Sequence, residues 1–135
     1  MKAEHLVIFT DGASRGNPGA AAIGAIIKDE QERAVAVISQ RIGRATNNQA
    51  EYRAIITALD KALRLGARRV TLNSDSELAI KQIKGEYRVK VAGLKPLHQQ
   101  VKALQSRFSG FTIKYIPGEQ NTEAHNLAQR ALDNA

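Results

Sequence analysis

Three acidic residues stand where catalysis would want them. Asp11 directly follows the apolar run at 6–10, Glu51 lies in the opening turns of a long amphipathic segment, and Asp75 lies at the end of the strand read at 69–73. Taken singly, each reads equally well as a helix cap or a solvated charge. Together they imply more. Carboxylates at the ends of neighbouring strands project from one edge of a sheet, and a helix crossing that edge adds another. Such a cluster repels itself unless cations occupy it, so a metal is expected. Hard oxygen donors select Mg²⁺ or Mn²⁺. Two such ions about 4 Å apart activate a water and stabilise the leaving oxygen of a phosphodiester.

The elements that must position these acids can be read along the chain. A strand at 6–10 runs into the turn-rich stretch Gly12-Ala-Ser-Arg-Gly-Asn-Pro-Gly19. Apolar runs at 22–28 and 34–42, joined by the polar stretch 29–33, form an antiparallel hairpin. Three strands before any helix argue against a simple alternating doubly wound fold. A long helix spans 46–65, its start marked by the capping types Thr46, Asn47 and Asn48 and its end by Gly66. Its apolar residues Ala54, Ile55, Ala58, Leu59, Ala62 and Leu63 recur at three- and four-residue spacing. A strand at 69–73, a short helix at 76–83 and a helix at 94–108 with Pro96 in its first turn come next. A strand at 111–116 and a final helix at 121–132 complete the order βββαβααβα. The connections are too short to be linkers, and one domain spanning 1–135 is expected.

Composition narrows the class. With 43% hydrophobic residues but only 4% aromatics and no Trp, the core must be built from Ala, Ile, Leu and Val. Lys and Arg number 20 against 13 Asp and Glu, a formal charge of +7 that favours polyanionic partners such as nucleic acid. The absence of cysteine excludes disulfides and thiolate metal sites and suits a reducing compartment. The charged opening residues show no signal-peptide pattern. No apolar run approaches the ~18 residues of a membrane helix. A cytoplasmic location is the default.

The residues flanking the three acids are more specific than the acids themselves. Thr10-Asp11-Gly12-Ala13-Ser14 with Gly16-Asn17-Pro18-Gly19, then Thr46-Asn47-Asn48-Gln49-Ala50-Glu51, then Ser74-Asp75-Ser76, resemble the successive signatures of type 1 ribonuclease H. The resemblance covers nearly the whole chain. It implies an α/β ribonuclease H-like fold, a five-stranded mixed sheet flanked by helices. It also implies a metal-dependent endonuclease that cuts the RNA strand of RNA–DNA hybrids, leaving 5′-phosphate and 3′-hydroxyl ends. On that reading Asp11 bridges both ions while Glu51 and Asp75 each complete one.

The chain departs from the family in two places. A fourth acid, an Asp in an Asn-x-x-Ala-Asp-x-Leu-Ala pattern, normally opens the last helix, but here Asn121-Thr-Glu-Ala124-His125-Asn126-Leu127-Ala128 puts His125 at that position. His125 is then a fourth metal ligand or nearby polar group, weaker than a carboxylate and better suited to Mn²⁺ than to Mg²⁺, or an exposed bystander. The loop before this helix often carries a His; Pro117-Gly-Glu-Gln120 has none, and Glu119 is either its counterpart or an ordinary loop acid.

Recognition of RNA requires contact with the 2′-hydroxyl. By the resemblance, Asn47 and Asn48 contact 2′-hydroxyls or minor-groove base edges, with helix capping as their other reading. Gly12, Ala13 and Ser14 approach the RNA backbone, where small residues avoid holding the phosphate away. Asn17, Arg44 and Thr46 match positions that contact a phosphate of the DNA strand. Glu77 stands where the family usually has Gln. Arg15, Lys81, Lys84, Arg88, Lys90 and Lys95 supply sequence-independent attraction. The segment 85–93 is a reduced, Trp-free counterpart of the family's DNA-gripping protrusion, with Tyr87 as its partial platform. No obligate protein partner is implied. Two rival functions stand beside the nuclease: a hybrid-binding module weakened by His125, and a related junction resolvase or transposase, against which Asn47-Asn48 and the glycine-rich turn speak.

Overall fold

Strand β1 (His5–Ser14) is the axis around which the described residues, 4–134, are arranged in the computed structural model. The outer limits of the expected domain, residues 1–3 and Ala135, lie outside the described residues, as does part of the opening segment read for a signal peptide. Strand β2 (Gly19–Lys28) pairs antiparallel with β1, and β3 (Ala34–Ala45) pairs antiparallel with β2. On its other side β1 pairs in parallel with β4 (Arg69–Ser74), which pairs in parallel with β5 (Gly110–Tyr115). The sheet order is β3-β2-β1-β4-β5, five strands and mixed as expected.

Alternation along β1 decides what each face receives. Leu6 and Ile8 are fully buried on the face covered by α1 (Asn47–Arg64) and α3 (Lys95–Gln105), packed with Tyr52, Ile55, Leu59 and Val101. Phe9, Asp11 and Ala13 point the opposite way by the two-residue period of a strand. There Ala13 packs with Ala22, Ala128, Ala131 and Leu132 beneath α4 (Thr122–Asp133). The short α2 (Glu77–Ile83) follows β4 directly. The helix and strand order is that read from the sequence, with one 3₁₀ turn at Gly118–Gln120 added before α4.

The reversal after β1 is shorter than its composition suggests. Gly12, Ala13 and Ser14 are strand, paired with Ile23, Ala22 and Ala21, and the Arg15 amide still donates to the Ala20 carbonyl at 2.8 Å. Turn-type residues there are overridden because each extra pair satisfies backbone groups that would otherwise be buried unpaired. The same pairing carries β2 back to Gly19 and β3 on to Ala45. At the helix start only Thr46 caps: its hydroxyl accepts from the Gln49 amide at 3.1 Å, while the Gln49 side chain accepts from the Thr46 amide at 2.9 Å.

Two glycines let helices approach the sheet at backbone distance. A Cβ at Gly12 would run into the backbone of Ala50 and Glu51 in α1. One at Gly24 would collide with the Ala124 carbonyl and the Ala128 amide of α4. Gly24→Ala must therefore lift α4, and we expect a loss of about 2–3 kcal/mol, or roughly 10 °C in Tm. Thermal or denaturant unfolding measures it, and an unchanged midpoint would mean that α4 is not seated on this glycine.

Candidate active site

Register brings the first two acids together. The β1–β4 ladder ends with Thr10 opposite Ser74, so Asp11 and Asp75 are the next residues on two parallel neighbours. At this point the strands diverge. The Ser74 hydroxyl accepts from the Ser76 amide at 3.0 Å and Ser76 caps α2, turning the chain away immediately after Asp75. Asp11 continues in β1, paired only with β2. The strand-end position expected for Asp11 thus holds with respect to β4, though not for β1 itself.

Glu51 arrives from the other face. Its helix begins at the Thr46 cap, and the bare Gly12 allows α1 to lie against the sheet edge. The Gly12 amide then donates to Glu51 Oε1 at 2.8 Å, fixing the carboxylate next to its neighbour. Ligand oxygens of Asp11, Glu51 and Asp75 all lie within 4.8 Å of one another.

Such crowding is visible in the acidities. Asp11 is 4% exposed, and its carboxyl is pushed up to about 6 by burial and then by the charge of Asp75, against the downward pull of His125 and the Gly12 amide. Glu51, 6% exposed, is raised well above the ordinary carboxylate range by burial and by Asp11, with the Gly12 amide opposing and Asp75 adding. Three oxygen donors that resist sharing negative charge fit a divalent cation such as Mg²⁺ or Mn²⁺.

His125 belongs to the same locale on different terms. The close seating of α4 on Gly24 sets its ring beside Asp11, with Nδ1 at 3.0 Å from Asp11 Oδ2. The ring is 53% exposed and stands outside the three-carboxylate group. It is a hydrogen-bond partner of Asp11 at the solvent-exposed side of the cluster. Glu119 also lies outside that group, on the exposed 3₁₀ turn whose Gly118 approaches Asp75.

The expected substrate residues divide. Asn47 and Asn48 are exposed at the start of α1, and their side chains make no hydrogen bond among the described residues, so they are not the caps. Arg44 is exposed near the end of β3. Thr46 is occupied as the helix cap, and Asn17 Oδ1 accepts from the Asn47 amide at 3.1 Å, so both are already engaged in holding the start of α1. Ser14 Oγ lies against the carbonyls of Ala45 and Gly16, with its one hydrogen shared between them. Gly12 is buried under α1, and the Ala13 side chain packs beneath α4. At Gly12 the absence of a side chain admits α1, since the space a Cβ would need is filled by the backbone of Ala50 and Glu51. Of the basic residues, Arg15 pairs with Asp133 at 2.6 Å and Lys81 with Glu77 at 3.3 Å.

Two positioning residues escaped sequence reasoning. Asn121, 1% exposed, donates from Nδ2 to the Thr10 carbonyl at 2.8 Å, tying the start of α4 to the residue before Asp11. Gly24 seats α4; a glycine inside the apolar run of β2 is the signal that marked a close backbone approach.

Without divalent ions the cluster opposes folding, and the sign is fixed by Asp11. Between its ordinary 3.8 and about 6, the folded state keeps a proton that the unfolded state has released. Stability is therefore lost as pH rises through that window, by up to about 3 kcal/mol, and stays low above it. Metal-free Tm should fall between pH 4 and 6.5, and Asp11→Asn should flatten the fall; a parent Tm that rises across this range would refute the assignment. Millimolar Mg²⁺ or Mn²⁺ at pH 7 should restore the parent's Tm and leave Asp11→Asn little changed.

Comparisons with known proteins agree with this architecture. Residues 9–131 match the family model described as reverse transcriptase-like. The chain is 43% identical over 131 residues to a bifunctional protein of Mycobacterium tuberculosis, covering 96% of this chain and 36% of that protein. It thus spans about a third of the length of the first curated relatives it matches. The crystal structure of ribonuclease H1 from Halobacterium salinarum superposes with a TM-score of 0.95 at 39% identity, covering 97% of this chain and 99% of that one. A ribonuclease H1 obtained from compost by a metagenomic approach, solved in complex with an RNA/DNA hybrid, gives 0.90 at 37% identity over 95% of this chain and 96% of that one. The chain belongs to the reverse transcriptase-like family, as a type 1 ribonuclease H-like domain.

Proposed function

We propose that this chain is a divalent-metal-dependent endonuclease that hydrolyses the RNA strand of RNA–DNA hybrids, leaving 5′-phosphate and 3′-hydroxyl ends, with residues 1–135 acting as one catalytic domain. The observation that carries this reading is the convergence of Asp11, Glu51 and Asp75, two of them buried, at the edge where β1 and β4 part. These three residues would hold the ions, two in number on the two-metal reading. When bound, the ions supply activation of a water and stabilisation of the leaving 3′ oxygen. A cysteine-free chain needs no oxidising compartment, and the cytosol is the proposed place of action.

The chain's own groups prepare this chemistry. The Gly12 amide holds Glu51 in one orientation, and Asn121 holds the backbone before Asp11. An ionised Asp11 can only accept, so on this reading His125 donates Nδ1–H to it. His125 thereby fixes the Asp11 carboxylate and puts an imidazole where the family has a fourth carboxylate. The exposed carboxamides of Asn47 and Asn48 both donate and accept, as a 2′-hydroxyl requires. Arg44 stands ready for the DNA strand's phosphates.

Matched RNA–DNA, RNA–RNA and DNA–DNA duplexes, incubated with each metal, test the assignment. Only the hybrid should be cut, and Asp11→Asn should lower kcat by at least about 100-fold with hybrid affinity unchanged. Affinity without cleavage in either metal would favour the binding-module reading, and cleavage of DNA junctions the resolvase reading. Mn²⁺ should outperform Mg²⁺, and His125→Asp should raise the Mg²⁺-supported rate. No gain on that substitution would remove His125 from the fourth-ligand position.

A further inference from the structure

Directly after Glu51, the sequence places a tyrosine whose ring is 1% exposed. The Tyr52 hydroxyl donates to Gln82 Oε1 at 2.6 Å, and Gln82 is itself 5% exposed. Burial pushes this phenol up to about 12, so it remains a donor at any working pH. Gln82 is the penultimate residue of α2, at the opposite end of that helix from Asp75. Its bond to Tyr52 therefore clamps α2 where the chain leaves it and leaves the carboxylate end to the Ser74 and Ser76 hydroxyls.

Helix α3 completes the clamp. His98 and Lys102 lie four residues apart on one of its faces. His98 Nε2 meets the Gln82 carbonyl at 3.1 Å and Lys102 Nζ donates to the Ile83 carbonyl at 3.0 Å. These are last-turn carbonyls, beyond the reach of the helix's own i+4 amides and open to side-chain donors; the Gln82 carbonyl also accepts from the Gly85 amide at 3.1 Å. The His98 ring also meets Tyr52 edge-on, centroids 6.3 Å apart. Four side chains from three helices thus converge on the end of one seven-residue helix.

What leaves that end is the segment 84–93, exposed except at Val89, which packs half-buried against the core. The Glu86 and Tyr87 amides fold back onto the Lys81 carbonyl at 2.9 and 3.2 Å, and Lys81 Nζ lies 4.9 Å from the Tyr87 ring centroid. Beyond Tyr87 the segment has little regular structure, and it re-enters the core at the buried Leu94. Lys84, Arg88, Lys90 and Lys95 are exposed and form no salt bridge among the described residues. Lys84, Arg88 and Lys90 repel one another and would spread over more conformations if the root of the segment were free, while Lys95 opens α3.

We propose that Tyr52, Gln82, His98 and Lys102 are positioning residues that fix the basic segment 84–95 for contact with the phosphates of the RNA–DNA hybrid, and so set substrate capture without taking part in bond cleavage. The inference rests on the hybrid being the substrate, as proposed above. Cations held in place neutralise phosphates together and release their counterions, which makes affinity steeply salt-dependent. A loosened segment loses that concerted contact while the three carboxylates, held by strand register and the Gly12 amide, stay as they are.

Tyr52→Phe provides the test, with hybrid affinity measured in EDTA across a salt series and cleavage kinetics measured with Mn²⁺. The expected result is a slope of log affinity against log salt that is shallower by about 1–2, a KM raised on the order of tenfold, and a kcat within about twofold of the parent. In a background carrying Lys84→Gln, Arg88→Gln and Lys90→Gln, the same substitution should change KM no further, because the groups it positions are gone. An unchanged slope and KM, or a further KM increase in the neutralised background, overturns the clamp. A drop in kcat alone overturns it too. Should Tyr52→Phe fail to fold, Lys102→Met, which removes only the ammonium from the Ile83 carbonyl, carries the same expectation. A parent protein that neither binds nor cuts the hybrid would instead refute the substrate assignment, and the two failures are thereby distinct.

Discussion

Mutual repulsion among three carboxylates at one sheet edge is the constraint on which the rest of this molecule turns. Asp11 and Glu51 are nearly withdrawn from water; beyond burial, the charge of Asp75 raises the cost of ionising Asp11, and that of Asp11 the cost of ionising Glu51. Nothing in the local sequence favours that arrangement; it persists because larger interactions hold each residue's backbone. β1 is central in the sheet and paired on both sides, α1 carries a full capping box and a buried apolar face, and β4 lies between two parallel neighbours. The scaffold supplies the stability that the acidic edge removes, a pattern found where strain or unfavourable charge serves a function.

Small residues carry this constraint from the core to the edge. Without Gly12, α1 could not lie close enough for the adjacent amide to hold Glu51. Without Gly24 and the alanines of α4, His125 would stand away from Asp11. Packing and chemistry are here one problem: the helices that close the two faces of the sheet are also the arms that deliver a carboxylate and an imidazole to its edge. The alanine-rich, aromatic-poor composition follows from this, because bulky side chains beneath α4 would separate the elements that the site needs together.

Much of this was legible along the chain. The order βββαβααβα, the capped long helix and the acids at 11, 51 and 75 were read from periodicity, capping types and turn residues, all of which are local signals. The errors also have local causes. Gly12, Ala13 and Ser14 look like a turn because their types tolerate one, yet pairing with Ile23, Ala22 and Ala21 of β2 makes them part of β1. Asn47 and Asn48 look like caps, yet Thr46 with Gln49 satisfies the same amides and releases both carboxamides to solvent. Arg15 looks like a free cation until tertiary contact gives it Asp133, whereas Lys81 finds its acidic partner one turn back in its own helix, at Glu77.

By itself the sequence determined which elements form and which residue types stand at their ends, since propensity, capping and hydrophobic period act over a few residues. It also determined the family, through motifs whose order and spacing are specific. Only the tertiary structure decided which of those residues meet. Strand register put Asp11 beside Asp75, a glycine-sized gap admitted Glu51, and the seating of α4 set the half-exposed His125 ring beside Asp11. Distances between residues 39 or 114 positions apart depend on how whole faces pack, and no local pattern encodes them.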